Sequence, residues 1–277
     1  MELYRSTCIS VSKLIAENYS TSFSAGMRLL DKKEKEAVYA IYGFVRIADE
    51  IVDTFHDYDK KSLLEEFIEE TWKAIERGVS ANPVLHSFQW AVNKYDIDRD
   101  LIKSFFDSMQ MDLTNQRYHE NAFKEYVYGS AEVVGLMCLS VFYAGNRDKY
   151  EELVPSARKL GEAFQKVNFL RDIRSDREER DRIYFPGLHS VEIDEQAKRM
   201  IEEDIGNDFA LALPGIRKLD RRIGLGVYLA YRYYYELYRK IRKKRAGHVL
   251  RERIRLNGFH KLFLLLSSAV RYRLRLF

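Results

Sequence analysis

Residues 32–54 read KKEKEAVYAIYGFVRIADEIVDT, and this stretch decides the class of fold. Val38, Ile41, Val45, Ala48 and Val52 recur at three- and four-residue spacing, so one apolar stripe runs along a single long helix. Tyr42, Arg46, Asp49 and Asp53 fall within an arc of about 60° directly beside that stripe. Two carboxylates one turn apart repel by roughly 0.2–0.5 kcal/mol on an exposed surface, and by more beside a buried face. A positive charge has to compensate there. Either a divalent cation with oxygen ligands or Arg46 can supply it.

The same geometry returns in a second predicted helix, 155–182. Gln165, Asn168, Asp172 and Asp176 share an arc of about 80°, flanked by Lys166, Arg171, Arg174 and Arg177. Mg²⁺ takes one or two carboxylates together with substrate phosphate oxygens. Two facing helices of this kind therefore suit a bound diphosphate. Loss of one carboxylate should relieve the i,i+4 repulsion, leaving stability of the metal-free protein unchanged or slightly higher.

Outward from these helices the periodicity continues almost throughout. Loop signals at Gly78–Pro83, Gly145–Asp148, Pro186–Ser190, Leu213–Gly215 and Asn257–Gly258 separate predicted helices. These lie near 60–77, 84–95, 99–115, 123–144, 155–182, 191–210, 216–245, 249–256 and 259–275. No repeat, low-complexity segment or linker divides the chain. Residues 1–277 read as a single all-α domain. Only 4 prolines and 14 glycines in 277 residues leave too few turn signals for an all-β sandwich.

Two cysteines exclude a disulfide framework, and six histidines (56, 86, 119, 189, 248, 260) form no zinc-binding spacing. No GxGxxG, P-loop or GxSxG motif is present. The first 25 residues hold no apolar h-region, and no run approaches the ~20 residues that span a bilayer. The expectation is a cytoplasmic protein, soluble or peripheral. Its net charge of +4 conceals an asymmetry: residues 239–277 carry 13 basic side chains and one acidic, leaving −8 on the remainder. Such a tail fits a polyanion: a diphosphate, an anionic membrane or nucleic acid. Nucleic acid is not expected, because it leaves the aspartate pairs unexplained and no recognised module is present. In residues 261–277, Leu262 to Leu266, Val270 and Leu274 alternate with Lys261, Arg271, Arg273 and Arg275, a mixture able to lie on the inner face of the cytoplasmic membrane.

The chain resembles the squalene/phytoene synthase family of head-to-head prenyl synthases. The resemblance is carried by Ser20-Thr-Ser-Phe-Ser24, Ala40 through Asp53, Asn168-Phe-Leu-Arg-Asp-Ile-Arg-Ser-Asp176 and Arg182-Ile-Tyr-Phe-Pro186. Met111-Asp-Leu113 and Tyr126 to Met137 match more weakly. This likeness implies an all-α isoprenoid synthase bundle around a central cavity, with Asp49, Asp53, Asp172, Asp176 and Asn168 holding Mg²⁺ (or Mn²⁺) against prenyl diphosphates. Ser22, Tyr42, Arg46, Gln165 and Arg171 would line the diphosphate region, Phe23 and Tyr128 the hydrocarbon cavity, and Tyr234 the reacting centre. Glu50 falls about 80° from the centre of the aspartate arc, one step back from the ligands. Glu132 departs from the family's Ala-Gly-x-Val-Gly run and would alter the cavity wall.

The resemblance further implies condensation of two geranylgeranyl diphosphates, through a cyclopropyl diphosphate (prephytoene diphosphate), to phytoene. NADPH is not expected to take part. A squalene- or dehydrosqualene-type enzyme using farnesyl diphosphate is the alternative; an inactive assembly factor is the non-enzymatic one. Oligomeric state is left open. Gly26 and Met27, one turn beyond Ser22 and Phe23, carry no rigid aromatic, which favours the longer substrate.

Overall fold

Helix-capping chemistry and apolar periodicity set the architecture. A computed structural model describes residues 1–114, 117–180 (apart from the side chains of 177 and 180), 182–187, 193–249 and 253–276. Among them the one β-type pairing is an isolated bridge between Arg117 and Ile183. Helices α1 (Glu2–Tyr19) and α2 (Thr21–Met27) precede α3 (Lys32–Asp53), the stretch first quoted. Then come α4 (Lys60–Arg77), α5 (Pro83–Tyr95), α6 (Arg99–Thr114) and α7 (Glu120–Val127). A π-helical turn (Tyr128–Glu132) joins α7 to α8 (Val133–Phe142). The chain continues with α9 (Arg147–Arg180), α10 (Glu195–Lys218), α11 (Arg221–Arg242), the short α12 (Ala246–Val249) and α13 (Gly258–Arg273).

The boundaries have local causes. Asp59 Oδ1 accepts the Ser62 N–H at 3.1 Å to start α4, and Gly78, at φ +69°, ends it in the left-handed region. Asn82 caps α5, whose first residue is Pro83, where no N–H is missed. Three expectations are corrected. Leu213–Gly215 is no loop: α10 runs through Pro214, because α9 packs along it and Ser156 Oγ donates to the Leu211 carbonyl at 3.1 Å. Helix α9 begins at Arg147 rather than 155 and accommodates Pro155. Residues 253–257 form an extended strap rather than the end of a 249–256 helix. There Ile254 is buried and Lys240 Nζ holds the Arg255 carbonyl at 2.6 Å. The expected boundaries at 115, 190 and 191 fall outside the described residues.

Helix α3 is buried on more than its predicted stripe. Ala37, Tyr39, Ala40, Phe44 and Ile51 are also covered, since α1, α4, α5, α6 and α8 surround it. Phe44 stacks on Phe88 with ring centroids 3.7 Å apart and meets Phe67, Phe105 and Phe106 around it. A second apolar cluster gathers Phe123, Tyr126, Val167, Leu170 and Phe209 with the tyrosines of α11. Phe23, Leu219 and Val227 touch both clusters. A cavity of about 950 Å³ lies between the two, lined by α2, α3, α8, α9 and α11.

Candidate active site

The cavity has a charged end and an apolar end, because it runs along α3 and α9 together. At one end Asp49 and Asp53, from the last turns of α3, and Asp172 and Asp176, from α9, line the same space. Toward the start of each helix the lining turns to Val38, Ile41 and Leu153, joined by Leu30, Leu139 and Phe142. From Val38 to Asp53 is about 22 Å at 1.5 Å per residue. The volume is near the upper end of small-molecule pockets, roughly 300–1,000 Å³, and suits a long ligand.

Of the residues singled out in the sequence, Ser22, Phe23, Tyr42, Arg46, Gln165, Asn168, Arg171 and Tyr234 also line this cavity. Tyr234 donates to Asn168 Oδ1 at 3.3 Å, and its ring lies 4.1 Å from Phe164 and 5.1 Å from Phe23. Burial raises the Tyr42 and Tyr234 phenols, so both stay protonated and offer no anionic base. Cys138, also on the wall, is pushed up by burial to about 12 and stays a neutral thiol.

Two residues are not where the family likeness would have them. Tyr128 is not among the lining residues; its ring instead lies under the Arg158 guanidinium at 5.1 Å. Glu132 turns the same way, buried and bonded to Arg158 Nε at 2.5 Å, so it does not shape the cavity wall. The neighbouring Ser130, Ala131 and Gly135 do. The flanking charges also divide. Arg171 joins the site, whereas Lys166 is buried against Asp208 at 2.7 Å and Arg174 pairs with Glu178 at 2.8 Å. The Arg177 side chain lies outside the described residues.

The aspartates are compensated by arginines, one adjacent in the chain and two distant. Asp172 is gripped by Arg171 Nε and Arg253 Nε, each at 2.8 Å from Oδ1. Burial alone would raise this carboxyl, but the two guanidinium groups hold it below the ordinary carboxylate range. Arg182 NH1 donates to Asp53 Oδ1 at 2.8 Å, and its NH2 donates to the Val52 carbonyl at 3.2 Å. Its own backbone N–H bonds the Asp176 carbonyl at 2.9 Å, so Arg182 ties the ends of both aspartate helices together. Arg46, the compensator read from the sequence, pairs with Glu50 and stands 3.8 Å from Asp49. The expected relief on removing a carboxylate is thereby corrected at Asp53 and Asp172: each stabilises a buried or half-buried guanidinium.

Behind Arg182 sits Asp112, whose carboxylate accepts from Tyr118 at 2.8 Å, Tyr126 at 2.6 Å and Tyr184 at 3.2 Å. Burial, reinforced by nearby Asp53, raises it to about 6 despite Arg182 and the tyrosines. Between its unfolded value of 3.8 and about 6 the folded protein binds the extra proton, so Asp112 lowers stability as pH rises through that window. Wild type should therefore lose melting temperature relative to Asp112→Asn between pH 4 and 6. Parallel thermal melts of the two proteins check this, and a pH-independent difference would contradict it.

Asp112, Tyr126, Tyr184, Arg253 and Lys261 line the cavity, with Arg182 beside it, yet none had a site role in the sequence, although Asp112, Tyr126, Arg182 and Tyr184 fall in runs that carry the family resemblance. A signal for Asp112 existed: it falls on the apolar stripe of Ile102, Phe105 and Met109, where an unpartnered carboxylate does not belong. Lys261, grouped in the sequence with the basic residues of a membrane-facing tail, turns inward to bond Thr21 Oγ1. For metal binding the donors are hard oxygens: the aspartate pairs with Asn168. Among the described residues no three His, Cys, Asp or Glu groups gather into a self-sufficient cage. That donor set fits a cation completed by ligand phosphates, as Mg²⁺ prefers.

An all-helical bundle with two facing aspartate helices across an apolar cavity defines the isoprenoid synthase class. The fold matches a crystal structure of a dehydrosqualene synthase in complex with ligand at a TM-score of 0.84, covering 97% of this chain and 98% of that one at 21% identity. The squalene/phytoene synthase family profile matches residues 16–260, and the chain belongs to this family. It is 26% identical over 196 residues to a 4,4'-diapophytoene synthase of Staphylococcus haemolyticus, covering 69% of this chain and 66% of that protein. A phytoene synthase of Thermus thermophilus is 29% identical over 185 residues, 64% of this chain and 60% of that protein. The matched stretch thus spans less than two thirds of either relative's length.

Proposed function

We propose that the protein is a Mg²⁺-dependent prenyltransferase that condenses two geranylgeranyl diphosphates head to head, through a cyclopropyl diphosphate, to phytoene. The observation carrying this reading is the polarity of the cavity: aspartates and arginines at one end, an apolar tunnel along α3 at the other. Arg171, Arg253 and Lys261 offer cationic donors to diphosphate oxygens. Arg46 Nε is buried with no acceptor among the described residues, which leaves it a further donor for an anion. When bound, Mg²⁺ supplies neutralisation of charge on the departing diphosphate. The allylic carbon then carries positive charge and must meet the double bond of the second substrate rather than water. Phe23, Phe164, Tyr42 and Tyr234 line the cavity with aromatic rings, whose π-systems attract a cation, while the protonated phenols and thiol do not quench it.

The names of the relatives divide over chain length, so the substrate is the part to test. Incubation with farnesyl or geranylgeranyl diphosphate and Mg²⁺, with and without NADPH, followed by product mass, is the experiment. The expected result is phytoene from geranylgeranyl diphosphate with no NADPH effect. Exclusive use of farnesyl diphosphate, or a hydride-dependent product, favours the squalene-type reading.

Met27 is buried and lines the cavity. Met27→Phe should shift selectivity toward the shorter substrate by roughly tenfold, at about 1–3 kcal/mol of overpacking cost. An unchanged ratio of kcat/KM values would remove Met27 from the tunnel. Gly26 is not an equivalent lever. A Cβ there would lie 2.8 Å from the Gly226 carbonyl, because α2 and α11 cross backbone to backbone at this pair. Gly26→Phe is thus expected to disrupt the crossing rather than trim the tunnel.

A further inference from the structure

Helix α13 is apolar on two faces, and only one is used. Inward, Leu264 and Ser268 are buried, Tyr233 Oη donates to the Lys261 carbonyl at 2.9 Å, and Tyr272 lies over Tyr228 of α11. Outward, Phe259, Leu262, Phe263, Leu266, Val270 and Leu274 follow one another within an arc of about 120°. All six are more than half exposed, Phe259 at 88%. Scattered exposed apolar residues need no explanation, but a contiguous stripe along a whole helix marks a surface that another apolar phase covers.

The charges beside the stripe identify that phase. Arg271, Arg273 and Arg275 are exposed at its end, and no acidic residue occurs between 253 and 276. A second copy meeting it stripe to stripe would bring like charges together. An anionic lipid headgroup layer complements them, and the acyl boundary beneath it takes the apolar residues. No helix among the described residues is long and apolar enough to cross a membrane, so α13 fits lying in the plane of the interface. Lys261, on the opposite side of the same helix, lines the cavity with the 253–257 strap. We propose that α13 docks the protein on an anionic bilayer through this outward stripe, which puts the strap side of the cavity next to lipid.

The test is flotation of the full chain with vesicles of phosphatidylglycerol and phosphatidylcholine, against phosphatidylcholine alone. Binding to the anionic vesicles is expected to exceed binding to the neutral ones by at least about tenfold, and to weaken with salt. The combined variant Phe259→Ser, Phe263→Ser, Leu266→Ser should lose about tenfold or more of the bound fraction. Its melting temperature should hold, since none of the three residues lines the cavity or enters the core. Arg271→Gln with Arg273→Gln should remove much of the salt-sensitive part. Failure of the wild type to float with anionic vesicles overturns the proposal, whatever the variants do. So does flotation undiminished by the serines, or self-association in solution that the serines abolish.

Discussion

Asp172→Asn is expected to lower kcat by roughly 10²–10³-fold with saturating Mg²⁺ and substrate, because it removes an anionic oxygen where charge is handled on the departing diphosphate. The amide keeps the shape but not the charge, so the loss should appear in turnover more than in the fold. Stability should nevertheless fall, by about 1–3 kcal/mol, since Arg171 and Arg253 lose their shared carboxylate. The same pairing gives a pH signature. The carboxyl is held below its ordinary 3.8, so its stabilising contribution is present above that value and lost as pH falls through the lowered one. Wild type should therefore converge with the variant in acid. Steady-state rates and melts of both proteins check the two halves separately. Normal turnover by the variant at saturating Mg²⁺ would end the assignment of Asp172 to the metal and diphosphate region.

Arg182→Leu should cost about 3–5 kcal/mol of stability. The guanidinium is only 7% exposed and serves Asp53 at 2.8 Å and Asp112 at 3.5 Å. Leucine leaves two carboxylates facing each other without a counter-charge and orphans the Val52 carbonyl. Arg182→Lys retains the charge but not the fork that reaches both a side chain and a backbone oxygen, so it should recover only part of the loss. Denaturant titration of the three proteins measures this. A leucine variant as stable as wild type would mean that Asp112 is protonated in the native state and needs no partner.

What could be read from the sequence was what local periodicity encodes. The α3 stripe and the two aspartate arcs follow from 3.6 residues per turn, and the structure brings both arcs to one cavity. Two of the arginines that meet them could not be read this way. Arg182 and Arg253 stand in non-helical backbone, where no period says which way a side chain turns. Pro214 misled for a related reason: a proline weakens a helix locally, and packing of α9 along α10 overrode that preference. Gly26 looked like open space, yet its lack of a Cβ serves a helix crossing with Gly226, a partner 200 positions away. Tyr128 and Glu132 show the limit of likeness. Tyr128 lies in a matching run and Glu132 departs from it, but the π-helical turn that holds them sends both side chains to Arg158.

Contacts at the cavity's rim join very remote positions: Arg182 with Asp53 across 129 residues, and Lys261 with Thr21 across 240. Loop-closure entropy rises only with the logarithm of length, so the longer of these closures costs only about 0.6 kcal/mol more than the shorter. Order of synthesis matters more. A chain growing at roughly 5–20 residues per second carries both aspartate pairs for some 4–17 s before Lys261 is added. Through that interval the greasy lumen has no roof, and the half-built protein is a natural client for whatever shields apolar surface on the ribosome.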